Sequence, residues 1–102
     1  MNPSYRYLAL VGVLVAPPVF AADADNGERL ARRWCSACHV VAANQRQAST
    51  DAPPFVTIAR SPNFDSQKLF YFLIEPHPKM PNMALSRHEA EDIAAYIAGL
   101  MR

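Results

Sequence analysis

Five consecutive residues, Cys35-Ser36-Ala37-Cys38-His39, carry most of the chemistry available to this chain. Two thiols two residues apart, followed at once by an imidazole, suit four uses. They can close a disulfide in an oxidising compartment, cycle as a dithiol redox pair, hold a zinc ion, or anchor a haem covalently. A thioredoxin-like pair belongs in a βαβ setting, and the chain has no strand-period alternation of any length. A structural zinc site needs a fourth ligand, and the remaining histidines, His77 and His88, lack finger-like spacing. C-x-x-C-H is the attachment signature of c-type haem. Thiols so spaced, on the turn that ends a helix, can each form a thioether with one haem vinyl group. The imidazole then lies beneath the ring and can bind the iron.

An iron held in this way needs a sixth ligand or an open position. The segment Pro76-His77-Pro78-Lys79-Met80-Pro81-Asn82-Met83 offers the candidates. Methionine sulfur is a weak ligand that the chain must hold in place, and prolines on both sides of Met80 stiffen the backbone there. His/Met ligation raises the potential and leaves no exchangeable site, which suits electron transfer rather than catalysis. Met83 is the alternative sulfur; the ordinary use of such a methionine is to fill gaps in packing. His77 would give bis-histidine ligation and a lower potential. It is expected near the haem edge without binding iron, and His88 on the polar side of a helix.

The elements that must position these groups are helical. A first helix is expected from about Asn26 to Cys35, with Gly27, Leu30, Ala31 and Trp34 on one apolar face and Glu28, Arg29, Arg32 and Arg33 opposite. A polar loop from Val40 to Pro54 follows, then a single turn over Phe55 to Ala59. Ser61-Pro62 has the form of a cap and first position for a middle helix. Phe64 to Ile74 is apolar almost all round, which predicts burial on several sides and a core role for Tyr71. Ser86 and Glu89 form a capping box for a last helix, with Ile93, Tyr96, Ile97, Leu100 and Met101 on its apolar face. The fold class is all-α, with three main helices.

Composition bounds the rest. Arg6, the apolar run Leu8 to Ala16 and the small residues up to Ala21 describe a secretory signal peptide over residues 1–21, with Ala24 as the alternative cut. The run is too short to span a membrane, which takes roughly 20 apolar residues, so no stable insertion is expected. Removing the first 21 of 102 residues leaves one domain of 81, residues 22–102. A domain so small usually needs a staple, and two cysteines make no disulfide framework. A large cofactor fills that need. Nine basic residues balance nine acidic ones once Arg6 is gone, and no basic excess points to nucleic acid.

From Asp25 to Arg102 the order of elements resembles the short bacterial class I cytochromes c. Gly27, Cys35, Cys38, His39, Pro53, Met80 and Tyr96 stand at the places of that family's pattern. The resemblance implies three main helices around one covalent haem c, with Cys35 and Cys38 as thioether partners. His39 and Met80 would be the axial ligands, and Met83 the alternative to Met80. It further implies that Gly27 lets the first and last helices approach closely. The Pro53 carbonyl would accept a hydrogen bond from the far nitrogen of His39, fixing its tautomer. The implied function is that of a periplasmic one-electron carrier, not an enzyme, acting on donor and acceptor proteins. The alternative is an electron-accepting subunit of a periplasmic oxidoreductase; either fits a monomer or a subunit of a redox complex. Arg29, Arg32, Arg33 and Lys79 are expected either to steer a partner near the haem edge or to form a solvated helix face.

Overall fold

A computed structural model describes residues 12, 21–49, 52–75 and 79–101. The expected leader lies outside the described residues except for Gly12 and Ala21, and so do Pro76, His77 and Pro78. Four helices follow in order: α1 Ala24–Trp34, α2 Phe55–Ala59, α3 Ser66–Ile74 and α4 Arg87–Gly99. The described residues contain three main helices, one short turn of helix and no strand.

Local chemistry sets each start. α1 begins two residues before the expected Asn26, because the Asp23 side chain caps it, accepting from Asn26 N at 3.1 Å. Asp25 in its first turn and Arg32 and Arg33 in its last match the helix dipole. Ser61-Pro62 does not start the middle helix. The Ser61 hydroxyl donates back to the Thr57 carbonyl at 3.0 Å and so closes α2. Asp65 caps α3 instead, its carboxylate accepting from Gln67 N at 2.9 Å and Lys68 N at 3.2 Å. The capping box of α4 forms as expected: Glu89 N donates to Ser86 Oγ and Ser86 N to Glu89 Oε1.

The other three helices all pack on α4. Ile93, Ile97 and Val41 are the largest fully buried side chains, each contributing about 1.5–3 kcal/mol by burial. Around them Ala31, Cys35, Phe55, Ala59 and Tyr96 complete one core cluster; Phe70, Ala90 and Ala94 form another, beside α3. The expected burial of α3 on several sides does not occur. α3 has one helical neighbour, α4, so Phe70 is buried while Tyr71 and Phe72 are 45% and 50% exposed. Tyr71 is therefore no core residue; it borders an outer groove.

The α1–α4 crossing explains Gly27. A Cβ there would overlap the Asp92 carbonyl oxygen and lie 2.5 Å from its carbon and 2.9 Å from Tyr96 Cβ. Only glycine allows the two backbones to meet this closely. The Asp92 side chain then ties the same crossing, accepting from Asp23 N at 2.7 Å and from Asn26 Nδ2 at 2.8 Å. The N-terminal half of α1 is thereby fixed on α4, and Cys35 follows at the other end of the helix.

Candidate haem site

Cys35 caps the end of α1, its N–H bonded to the Ala31 carbonyl at 2.8 Å. The Cys35 carbonyl accepts from both Cys38 N at 3.1 Å and His39 N at 2.8 Å, which winds the five residues into one tight turn. Side chains further along hold that turn from outside. Gln45 Nε2 donates to the Ser36 carbonyl at 2.9 Å and the His39 carbonyl at 2.8 Å, while its Oε1 accepts from Val41 N at 2.9 Å. Ser49 donates to the Ala37 carbonyl from its backbone N at 2.8 Å and also from its hydroxyl. Tyr96 of α4 donates its phenolic proton to the Val41 carbonyl at 2.6 Å, joining the turn to the core. Gln45 and Ser49 sit in a stretch whose polar, aperiodic sequence reads only as loop, and no local signal marks them.

His39 Nδ1 lies 2.7 Å from the Pro53 carbonyl oxygen. A carbonyl only accepts, so Nδ1 carries the proton and Nε2 keeps its lone pair. The ring also rests against Phe55, with centroids 5.2 Å apart, and Phe55 N donates to the Val40 carbonyl at 2.9 Å. Two contacts therefore set the plane of the imidazole, and the Pro53-Pro54 pair stiffens the segment that supplies one of them.

A cavity of about 450 Å³ opens beside this ring, lined by Trp34, Cys35, Cys38 and His39 and by the segment Met80 to Ala84. Its volume falls within the usual range for cofactor sites. Both sulfur candidates, Met80 and Met83, border it and are half-buried. Trp34, expected on the core face of α1, is 43% exposed and forms part of this wall, with the Arg33 guanidinium 4.8 Å above its ring. A larger groove of about 650 Å³ between α3 and α4 holds no sulfur or imidazole and offers an iron nothing.

The setting of the thiols disfavours a dithiol redox pair. Burial, and then the neighbouring Cys38, push the Cys35 thiol up to about 11. A dithiol oxidoreductase needs the opposite shift, since the thiolate is its nucleophile. Among the described residues no three metal-ligating His, Cys, Asp or Glu side chains come together, which disfavours zinc. His88 is 80% exposed and sits 3.9 Å from Glu91. The basic residues of α1 divide: Arg29 bonds Asn26, Arg32 pairs with Glu28 at 3.6 Å, and Arg33 stacks on Trp34 of the cavity wall.

Sulfur for two thioethers, an imidazole with its lone pair free and an apolar slot on a small helical frame are what a covalently held haem requires. The fold and the slot define a c-type cytochrome. Residues 22–97 match the family described as cytochrome c oxidase, cbb3-type, subunit III, and the chain belongs to that family of c-type cytochromes. Over 80 residues it is 60% identical to cytochrome c-552 of Bradyrhizobium diazoefficiens, covering 78% of this chain and 77% of that protein. No solved structure matches the chain. Its cofactor is haem c, and with one attachment motif it is a monohaem electron carrier.

Proposed function

We propose that residues 22–102 form a periplasmic one-electron carrier in which Cys35 and Cys38 attach the haem and His39 and Met80 ligate its iron. The hydrogen bond from His39 Nδ1 to the Pro53 carbonyl carries this reading. It leaves Nε2 as the basic nitrogen and raises its strength as a ligand. Met80 borders the same cavity and would supply the second iron ligand, with Met83 as the alternative. The haem supplies reversible one-electron chemistry when bound. Two protein ligands close the iron to exchange, so the chain exchanges electrons with donor and acceptor proteins and carries out no catalysis.

The charged, apolar and small-residue order of the leader supports export to the periplasm, where thioether-bound haem is retained in a domain this small. Among the described residues no helix is long and apolar enough to cross a membrane. The family description, which names an oxidase subunit, favours the second reading of an electron-accepting subunit in a periplasmic oxidoreductase. The match to cytochrome c-552, at 60% identity, outweighs that description and favours the carrier.

Absorption spectra of protein matured in a periplasm test the assignment. The expected result is covalent haem bands that survive denaturing electrophoresis, with an iron–sulfur charge-transfer band in the oxidised form. Met80→Ala removes that band and opens the reduced iron to carbon monoxide; Met83→Ala leaves both properties unchanged. The reverse pattern assigns the iron to Met83.

A further inference from the structure

Met80 and Met83 border one cavity, and the second of them sits in a short turn just before α4. Asn82 Oδ1 accepts from Ala84 N at 2.9 Å, closing a loop with Met83 at its centre. Ala84 has φ 51°, which makes it the one residue of any type, glycine included, in the left-handed region among the described residues. An alanine there is strained relative to glycine, and a local side-chain hydrogen bond is the usual compensation. The strain is held from the other side as well. Leu85 packs against both core clusters, and Ser86 is locked into the capping box of α4.

We propose that the Asn82–Ala84 turn selects the iron ligand, holding Met83 back so that Met80 takes the position. This rests on methionine ligation as proposed above. Met83 is the central residue of a closed turn attached directly to the fixed start of α4. It can advance toward the iron only if the Asn82 bond opens and Ala84 leaves its left-handed conformation. Met80 lies upstream of that lock, before Pro81, where its path is not set by the turn. Methionine sulfur binds iron weakly, so a small backbone preference decides between two such ligands. Asn82 and Ala84 are thus positioning residues, acting through Met83.

Proton NMR of the reduced holoprotein reads the ligand directly, because a methionine methyl bound to haem iron is shifted far upfield by the ring current. The wild-type protein is expected to show one such methyl signal. Asn82→Ala removes the lock and raises the share of Met83 ligation about threefold to tenfold, the effect of one lost hydrogen bond on a two-state balance. A second upfield methyl then appears, and it vanishes again in N82A/M83L. Ala84→Gly relieves the strain but keeps the Asn82 bond, and retains the single signal. One unchanged signal in Asn82→Ala, at high sample concentration, overturns the selecting role alone. No upfield methyl in the wild-type protein overturns methionine ligation itself, and this proposal with it.

Discussion

On the cysteine–histidine side of the cavity, the carbonyls of Ser36, Ala37 and His39 each accept a hydrogen bond from the 45–49 segment. Tyr96 and Pro53 add two more ties from α4 and the proline loop. On the methionine side, among the described residues, one side-chain hydrogen bond to Asn82 shapes the stretch between Met80 and the cap of α4. The first wall is preorganised by four partners, Gln45, Ser49, Pro53 and Tyr96, and the second, among the described residues, is tuned by one local side-chain bond. The difference follows the chemistry each wall serves. Attachment to cysteine and nitrogen ligation need atoms held in one geometry, whereas a weak sulfur ligand must be brought to the iron after the ring is in place.

The strongest challenge to the rigid half is Gly27→Ala. A methyl group there overlaps backbone of α4, which cannot move as a side chain would, so we expect a loss of roughly 3 kcal/mol or more in denaturant unfolding of the holoprotein. A loss no larger than that of an ordinary surface substitution means that the crossing is looser than described. Gln45→Ala comes next. It strands the part-buried carbonyls of Ser36 and His39, and the expected cost is about 2–3 kcal/mol, against about 1 kcal/mol or less for Asn82→Ala. Equal costs for the two would erase the contrast between the walls.

The smallest effect concerns Tyr96→Phe, about 1 kcal/mol near neutral pH for the bond to Val41. Burial first, then Glu28, raise the Tyr96 phenol above its ordinary 10.0, with Arg32 opposing them. The folded chain therefore keeps this proton to higher pH than the unfolded chain does. The associated stability is fully present below pH 10.0 and is lost as pH rises from there through the folded value. Unfolding midpoints measured on either side of pH 10.0 should converge for wild type and Tyr96→Phe as the pH rises. Parallel profiles would show that this phenol ionises alike in both states.

Short-range patterns were legible wherever partners lie within one turn of each other. The Ser86–Glu89 box and the turn of α2 could be read directly, and α1 missed only its first two residues because Asp23 and Asp25 offer the same local signal. Ser61 and Asp65 show the limit. Both are good caps; the Ser61 hydroxyl turns back to donate to the Thr57 carbonyl at the end of α2, while the Asp65 carboxylate accepts from the first turn of α3. Tyr71 and Phe72 looked like core because composition records hydrophobicity without counting neighbours. Asp92 and Asp23 stand 69 residues apart, and nothing in either position announces the other.

By itself the sequence determined the attachment chemistry of Cys35 to His39, the helical frame and the pair of candidate sulfurs, because each of these depends on residue type and spacing along the chain. Only the tertiary structure decided what holds them. The fixing of the attachment turn by Gln45, the pinning of α1 by Asp92 and the exposure of Trp34 on the cavity wall arise where separate segments meet, and the left-handed Ala84 is a backbone state that its residue type does not announce. Packing and hydrogen bonding act through space, so they leave no period in the sequence.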